Sequence, residues 1–269
     1  MRLQELTKGV RAMCELFGVS AQNDFYANDY LKLFYSHSDF HPHGWGLACV
    51  SRNGALVEKE SVKASKSNYL RERLSQPINE KLLLAHIRYA TIGNVEYKNC
   101  HPFTGRDCTG RRWTLIHNGT IFDYPELYPY LKKQKGDTDS ERVFLYLLER
   151  LNEATRQKGS RLHFEERFKL LDEIIGDMAR GNKLNLMFTD GKYLYAHTNC
   201  RGTMHCLLKD GAALLSTQPL SGENWQLVPF GQLLAFNKGK LIKTGTEHHN
   251  EYIQSEDEMK LIYQIFANL

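Results

Sequence analysis

Short apolar runs, each long enough for a single β-strand, recur along the chain and constrain its fold more than any other feature. Eight such runs begin at Cys14, Trp45, Leu82, Trp113, Leu184, Tyr193, Ala212 and Gln232. Asn-Gly or Asp-Gly pairs, which favour tight hairpin turns, punctuate them at Asn53-Gly54, Asp190-Gly191 and Asp210-Gly211. The pattern predicts antiparallel β-sheet.

Helical patterns lie between these runs. From Thr138 the sequence TDSERVFLYLLERL repeats apolar residues at helical spacing, and Thr138 with Glu141 is typical of a capping box, so a helix is predicted to begin there. Further helices are predicted near residues 24–36, 123–134, 163–178 and 256–268. No Pro/Ser-rich linker separates the segments, and the chain has only 7 prolines. We therefore expect one domain of layered sheets and helices.

Composition excludes several classes of protein. With 42% hydrophobic and 25% charged residues, the 269-residue chain has the balance of a soluble globular protein. A net charge of +4 without a basic patch gives no indication of a nucleic-acid partner. The first twelve residues lack the apolar core of a secretory signal, and no run is long enough to span a membrane. Six cysteines without a signal peptide indicate free thiols and a cytoplasmic location.

Two groups of side chains contain residue types that can bind metal ions. One comprises Cys100, His101, Cys108 and the pair His205-Cys206, and the other His37, His41 and His43. The spacings of the first group match no common zinc pattern, and the second group is better explained as a polar loop before a strand. We expect neither a metal ion nor another cofactor.

Cys14, which follows Met13, could be a structural or a catalytic thiol. An amidase that uses a thiol needs a nucleophile, a base, donors for the oxyanion and charged groups that hold the substrate. A cysteine at a mature N-terminus supplies the first two, because its α-amine has an ordinary pKa of about 7.7–8.0. This chemistry requires that nothing precede the cysteine. The local sequence by itself favours the alternative, a buried structural thiol on the first strand.

Other polar residues stand where strands end or helices begin. Arg88 and Thr91 follow an apolar strand in AHIRYATIG, and His101 lies in NCHPF. Asn118-Gly119 ends a strand in IHNGTI, and Asp139 opens a helix in GDTDSE. Two of these features have ordinary structural explanations: an Asn-Gly hairpin turn, and an acidic residue that the dipole favours in the first turn of a helix.

Together, these motifs resemble the class II glutamine amidotransferase domains, which are N-terminal-nucleophile hydrolases found in glucosamine-phosphate synthase, glutamate synthase, asparagine synthetase and the amidophosphoribosyltransferase of purine synthesis. The chain is most similar to the stand-alone members, which start Met-Cys-Glu-Leu. The resemblance implies an α+β fold, a four-layer αββα sandwich of two antiparallel sheets between helices. It divides the chain into an N-terminal extension or propeptide, residues 1–13, and a glutamine amidotransferase domain, residues 14–269.

The same resemblance implies the catalytic roles. Cys14 would attack the side-chain amide of glutamine, which gives a γ-glutamyl thioester and ammonia. The side-chain amide of Asn118 and the backbone N–H of Gly119 would form the oxyanion hole. Loss of one such donor typically raises the barrier by about 3–4 kcal/mol.

The implied substrate-binding residues grip the amino-acid end of glutamine. Arg88 would pair with the α-carboxylate in the bidentate way that suits a guanidinium, with help from Thr91. Asp139 would bind the α-ammonium group, and His101 would support the pocket wall. Tyr89 stands where the larger enzymes usually have Trp, a change that keeps an aromatic ring.

The extension is the main departure from the family pattern. Either translation begins at Met13 and its removal exposes Cys14, or residues 1–13 are a self-cleaved propeptide, or the chain is unprocessed and inactive. Three functions follow: a glutaminase that passes ammonia to a separate synthase partner, a stand-alone amidohydrolase of a γ-glutamyl metabolite, and a non-catalytic ligand-binding subunit. The substrate in the first two is a small molecule, glutamine or a γ-glutamyl amide. The sequence leaves the ammonia acceptor and the oligomeric state open.

Overall fold

The computed structural model describes residues 13–51 and 54–253, whose strands form two antiparallel sheets. The strands are β1 Glu15–Tyr26, β2 Trp45–Ser51, β3 Gly54–Glu60, β4 Asn79–Ile87, β5 Phe103–Arg106, β6 Arg112–Thr120, β7 Lys183–Thr189, β8 Leu194–His197, β9 His205–Lys209, β10 Ala212–Ser216, β11 Gln226–Leu227, β12 Leu233–Asn237 and β13 Lys240–Thr244. The α-helices are α1 Asn28–Ser36, α2 Asn68–Ser75, α3 Asp139–Lys158 and α4 Phe164–Met178, and short 3₁₀ helices span His37–Phe40, Ala64–Lys66, Tyr97–Asn99 and Pro125–Lys132.

The strand β1 lies at the centre of the larger sheet. That sheet has seven strands in the order β11-β9-β10-β1-β4-β2-β3, and the other has six in the order β13-β12-β8-β7-β6-β5. Along β1, Phe17 and Val19 pack with residues of α1, whereas Leu16 packs with residues of the opposite sheet. Both faces of β1 are therefore buried, which explains its nearly continuous apolar sequence.

Three hydrophobic clusters separate four layers. The first fills the space between the sheets and includes Leu84, Ile116 and Met187. The second joins the outer face of the seven-stranded sheet to α1 and α2. The third joins the outer face of the six-stranded sheet to α3 and α4. The architecture confirms the α+β fold class and its αββα order of layers.

Most of the predicted elements are present. All eight apolar runs contain a strand, and hairpins connect β2 to β3, β7 to β8 and β9 to β10. Residues 52 and 53, in the turn between β2 and β3, lie outside the described residues, and so does the helix predicted over 256–268. Within the described part of the chain, none of the helices has the length and apolar composition needed to cross a bilayer.

Several boundaries and elements differ from the prediction. The helix predicted near 24–36 begins at Asn28, because β1 continues to Tyr26. The segment 123–134 contains the 3₁₀ helix Pro125–Lys132 rather than an α-helix, with Pro129 inside it, and proline disfavours α-helix because it has no N–H. No clear local pattern indicated the short helix α2 or the exposed strands β11 and β13.

Candidate active site

Cys14 lies immediately before β1, opposite the residues that follow β4. The pairing of β1 with β4 places Glu15 against Ile87, and this register brings the Cys14 sulfur to Tyr89. The backbone N–H of Tyr89 donates to Sγ at 3.3 Å, and the thiol donates to the Tyr89 carbonyl at 3.3 Å. On the other side of β1, the backbone N–H of Leu16 donates to Oγ1 of Thr217 at 3.1 Å. The thiol therefore has a fixed position at the end of the central strand.

The surroundings of Cys14 keep its thiol protonated at neutral pH. Burial raises the pKa of the Cys14 thiol to about 11, against the opposing effects of the Tyr89 N–H and the positive charge of Arg88, while Asp139 raises it further. The thiol needs a base if it is to act as a nucleophile, and Arg88 and Asp139 both lie within electrostatic range of the sulfur.

Arg88 organises the loop that follows β4. Arg88 is 2% exposed, and its guanidinium donates to the carbonyls of Asn94 at 2.9 Å and of Ile92 and Gly93 at 3.0 Å. Thr91 lies on the same loop and is partly exposed. Of the five N–H groups of a guanidinium, two remain for a ligand. In residues 13–51 and 54–253, no Asp or Glu forms an ion pair with Arg88, so this buried cation lacks a carboxylate partner from the described protein.

Asn118 and Gly119 lie within β6, and the alternative of a hairpin turn at this dipeptide is wrong. Asn118 pairs with Asn185 and Gly119 with Leu184 on β7. The Oδ1 atom of Asn118 is buried without a hydrogen-bond partner among the described residues. The other edge of β6 pairs with β5 only as far as Leu115, so the described strands leave this edge uncovered at Asn118 and Gly119.

Gly119 is required by close packing. A Cβ atom at this position would lie 2.0 Å from the Lys183 carbonyl oxygen and 2.4 Å from Nε2 of His117. Real Cβ atoms essentially never make contacts under 3.0 Å. Only glycine therefore allows the backbone of β6 to approach β7 this closely.

Asp139 connects the start of α3 to the end of β6. Its side chain is 3% exposed. Oδ2 accepts from the backbone N–H of Ile121 at 2.8 Å, and Oδ1 accepts from that of Ser140 at 2.8 Å. These bonds give Asp139 the structural role expected of an acid in a first helical turn, and they also hold its carboxylate at Ile121, two residues after Gly119.

The predicted capping box is only half formed. Oγ1 of Thr138 accepts from the Glu141 N–H at 3.2 Å. The carboxylate of Glu141 does not return to Thr138, because it accepts from the backbone N–H groups of Lys135 at 2.9 Å and Gly136 at 2.7 Å. The helix therefore begins as predicted, but Glu141 shapes the loop that precedes it.

His101 lies in the interior, against His86 of β4. Its ring packs 4.1 Å from that of His86 and 4.7 Å from that of Phe103, and neither ring nitrogen has a hydrogen-bond partner in the described part of the chain. Burial, aided by the neighbouring histidines, holds the pKa of His101 well below its usual range. The imidazole is therefore neutral. A Cβ on Gly46 would lie 1.9 Å from the His101 carbonyl oxygen, which explains the glycine before Leu47.

The second histidine group surrounds an acid rather than a metal ion. Nδ1 of His37 lies 2.8 Å from Glu15, and Nε2 of His41 lies 3.7 Å from the same carboxylate. Nδ1 of His43 accepts from the backbone N–H of Ala90 at 2.9 Å. Across the described residues, no three His, Cys, Asp or Glu side chains are arranged to hold a metal ion.

Lys183 is a buried lysine next to Met13 that the sequence did not reveal. It is the first residue of β7 and is 4% exposed, and its Nζ contacts the sulfur of Met13. Burial lowers the pKa of Lys183 to about 8, against the opposing effects of Cys200 and Cys14. A lysine at the start of a strand is usually exposed to solvent, so no local signal indicated that this one is buried beside Met13.

Comparisons with known proteins show what this arrangement resembles. The family model of the class II glutamine amidotransferases matches residues 13–211. A protein of unassigned function from Methanocaldococcus jannaschii is 28% identical over 262 residues, which cover 86% of this chain and 71% of that protein. YafJ of Escherichia coli, named as a candidate glutamine amidotransferase, is 28% identical over 260 residues, 86% of this chain and 100% of YafJ.

Solved structures share the fold. The crystal structure of a predicted glutamine amidotransferase from Pseudomonas aeruginosa has a TM-score of 0.62 at 23% identity, and the match covers 86% of this chain and 100% of that chain. The glutamine phosphoribosylpyrophosphate amidotransferase of Bacillus subtilis has a TM-score of 0.61 at 17% identity, with coverages of 86% and 48%. At these identities the likeness concerns the fold alone.

Proposed function

The chain belongs to the class II glutamine amidotransferase family, and from this premise we propose that it cleaves the side-chain amide of glutamine through a thioester on Cys14. Its stacked antiparallel sheets form the sandwich of the N-terminal-nucleophile hydrolases. One observation carries the proposal: the Cys14 sulfur is hydrogen-bonded to the backbone of Tyr89, the residue after the buried Arg88, within electrostatic range of both Arg88 and Asp139. A cation and an anion beside one thiol suit a substrate that bears an α-carboxylate and an α-ammonium group.

In the proposed reaction, the catalytic unit is residues 14–269, and removal of residues 1–13 converts the amide nitrogen of Cys14 into an amine. An α-amine with an ordinary pKa of about 7.7–8.0 accepts the thiol proton near neutral pH. The sulfur then bonds to the amide carbon of glutamine, and the C–N bond breaks as the amine returns the proton to the departing ammonia. Water hydrolyses the thioester to glutamate and regenerates the thiol.

The oxyanion of the tetrahedral intermediate would be held by Asn118 and Gly119. The side-chain amide of Asn118 supplies one donor and the backbone N–H of Gly119 the other. Support comes from the β6 edge, which no described strand covers at these residues, and from the fixed backbone approach at Gly119. Preorganised donors of this kind are the usual largest contribution to catalysis of acyl transfer.

The substrate's amino-acid end would be held by Arg88, Thr91 and Asp139. A buried guanidinium is unfavourable without a counter-charge, and the α-carboxylate of glutamine would supply that charge to Arg88. Thr91 lies on the loop that Arg88 organises. His101 would act through packing, because its ring is buried and neutral.

The fate of the ammonia defines two versions of the proposal. The larger relatives extend well beyond this domain: the match to a glutamine–fructose-6-phosphate aminotransferase of Bacillus cereus, 33% identical over 141 residues, covers only 22% of that protein. In the first version, a separate synthase partner accepts the ammonia. In the second, the protein is a stand-alone amidohydrolase of a γ-glutamyl metabolite. YafJ, which this chain covers over its whole length, is compatible with either version.

A third candidate is a non-catalytic ligand-binding subunit. The high pKa of the Cys14 thiol, about 11, favours it for any chain in which Cys14 remains in an amide bond, because no α-amine is then present to take the proton. The same Arg88 and Asp139 would still bind an amino acid.

The test compares a chain that begins at Cys14 with the full chain of residues 1–269. We expect release of ammonia from glutamine only by the shortened chain, and loss of this activity in Cys14→Ala but not in Cys206→Ala. A diazo-ketone analogue of glutamine should add its mass to Cys14 of the shortened chain. Turnover by a full chain whose N-terminus is shown to be intact would refute the proposed base.

The choice among the three candidates comes from a panel of substrates. Faster cleavage of a γ-glutamyl amide than of glutamine would select the amidohydrolase, and preference for glutamine would select the glutaminase. Binding of glutamine without turnover by either chain would select the ligand-binding subunit.

A further inference from the structure

The pair His43-Gly44, just before β2, binds the backbone that follows β4. The backbone N–H of His43 donates to the carbonyl of Arg88 at 3.1 Å, and the backbone N–H of Arg88 donates to the carbonyl of Gly44 at 2.8 Å. These two bonds continue the pairing of β2 with β4, in which Trp45 lies opposite Ile87. The backbone of Arg88 is therefore fixed to the segment that enters β2.

Gly44 holds this segment in place. Its φ is +137°, a conformation that residues with a side chain rarely adopt, and an added Cβ would lie 2.7 Å from Sγ of Cys100 and 2.9 Å from the Glu60 carbonyl oxygen. Only glycine fits in this position. The backbone that carries the His43 ring therefore has little freedom to move.

The half-buried side chain of His43 contacts the two residues that follow Arg88. Its Nδ1 accepts from the backbone N–H of Ala90 at 2.9 Å, and its ring centre lies 5.2 Å from that of Tyr89. Because a backbone N–H can only donate, Nδ1 carries no proton and the neutral ring holds its proton on Nε2. Burial lowers the pKa of His43, and the charges of Arg88 and His41 lower it further. The imidazole is therefore neutral at pH 7 and above.

Two planar peptide groups connect His43 to Cys14. In a trans peptide group the C=O and the N–H point in opposite directions. The group between Arg88 and Tyr89 accepts from the His43 N–H and donates to the Cys14 sulfur at 3.3 Å. The group between Tyr89 and Ala90 donates to Nδ1 of His43 and accepts from the Cys14 thiol at 3.3 Å. His43 thus binds both groups on the side that faces away from the sulfur.

The orientation of these groups affects the ionisation of the thiol. The bond from the Tyr89 N–H lowers the pKa of Cys14, against the larger effect of burial, because a donor favours the thiolate. Loss of the bond between Ala90 and His43 would free the second peptide group to rotate and would loosen the first. The bond to the sulfur would then weaken.

We propose that His43 is a positioning residue of the thiol site, whose unprotonated Nδ1 fixes the two Tyr89 peptide groups that bind the Cys14 sulfur. The inference rests on the proposed role of Cys14 as the nucleophile, but it concerns the hydrogen bonds of the thiol and can be tested without turnover. It gives the histidine-containing loop before β2 a part in the site.

The test measures the rate at which iodoacetamide alkylates Cys14 in the full chain at pH 8, with peptide mass spectrometry to resolve each cysteine. At this pH the rate follows the thiolate fraction, because the pKa of Cys14 is about 11. In His43→Leu, which removes the acceptor but keeps an apolar side chain of moderate size, we expect alkylation of Cys14 to slow about 3–10-fold.

His43→Asn is the conservative variant. Its side-chain oxygen is as many bonds from the backbone as Nδ1 is and can accept from the same N–H, so its rate should stay within about twofold of the parent. Cys206 on β9 is an internal control, since burial raises the pKa of this thiol to about 11 as well. Its rate should be the same in every variant.

Thermal melting followed by circular dichroism checks the fold of each variant. If His43→Leu does not fold, His43→Gln repeats the comparison, because its side-chain oxygen lies one bond further from the backbone and is displaced from the position of Nδ1. Unchanged or faster alkylation of Cys14 in the folded variant would overturn the inference. So would equal slowing in His43→Asn, or equal slowing of Cys206.

The ammonia assay separates this result from the fate of the proposed function. Slower alkylation confined to Cys14, without glutaminase activity in any chain, would support the role of His43 and remove the glutaminase. Glutaminase activity with unchanged alkylation of Cys14 would do the reverse.

Discussion

Replacement of Gly119 by alanine tests the packing on which the proposed oxyanion hole depends. The added Cβ would lie 2.0 Å from the carbonyl oxygen of Lys183, whereas 3.0 Å is the practical lower limit for such contacts. To lengthen this contact from 2.0 Å to 3.0 Å, β6 and β7 would have to move apart by about 1 Å. The atom in the way belongs to the backbone, so a change of side-chain rotamer cannot relieve the clash.

The expected cost follows from this displacement. Overpacking of a well-packed interior typically destabilises a protein by about 1–3 kcal/mol, and the rigid contact places Gly119→Ala near the upper end of that range. For a domain of this size, each kcal/mol lowers the melting temperature by roughly 2–4 °C. The melting temperature should therefore fall by roughly 5–10 °C. A misplacement of about 1 Å in a catalytic group can lower activity about a hundredfold.

Thermal melting by circular dichroism and ammonia release from glutamine by the chain that begins at Cys14 measure the two effects. Gly222→Ala is the matched control, because a Cβ added there would have no heavy atom within 4 Å and the φ of Gly222 is not in the left-handed region. We expect this variant to match the parent in both assays. A Gly119→Ala protein that melts within about 1 °C of the parent would refute the packing argument.

Three further predictions concern binding, catalysis and acid stability. Arg88→Lys keeps the charge but loses the planar fork, so the KM for glutamine should rise by about 10–100-fold in steady-state kinetics; an unchanged KM would contradict the carboxylate clamp. Asn118→Ala should lower kcat by about 10²–10³-fold with little change in KM, and a normal kcat would exclude it from the oxyanion hole. Burial lowers the pKa of His197 from 6.5 to about 3. Between pH 6.5 and pH 3 the unfolded state therefore binds a proton that the folded state does not, and the free energy of unfolding falls as the pH falls. Urea unfolding at pH 6.5 and pH 5.0 should show that His197→Gln loses about 1.5 kcal/mol less than the parent over this interval, and equal losses would contradict the assignment.

The strands and hairpins could be predicted from the sequence because their signals are local. Apolar runs define strands, and Asp190-Gly191 and Asp210-Gly211 supply residues that accept the backbone conformations of tight turns. The start of α3 at Asp139 was equally predictable from Thr138. The family could also be inferred from the motifs around Cys14, Arg88, Asn118 and Asp139, and the family model, which matches residues 13–211, covers them.

The tertiary structure decided features that depend on neighbours distant in sequence. Asn118-Gly119 carries the signal of a hairpin turn, yet it continues a strand because β7 pairs with it and the Lys183 carbonyl fills the space that a side chain would need. Lys183 has the sequence signature of a surface residue, yet it is buried beside Met13.

The ionisation of the site depends on the same distant contacts. The pKa of Cys14 is set by burial, by the backbone of Tyr89 and by the charges of Arg88 and Asp139, residues from separate elements that meet only in the folded chain. Local sequence determines which backbone conformations are favourable. Burial and electrostatic potential at a side chain are sums over everything packed around it, so only the assembled sandwich determines them.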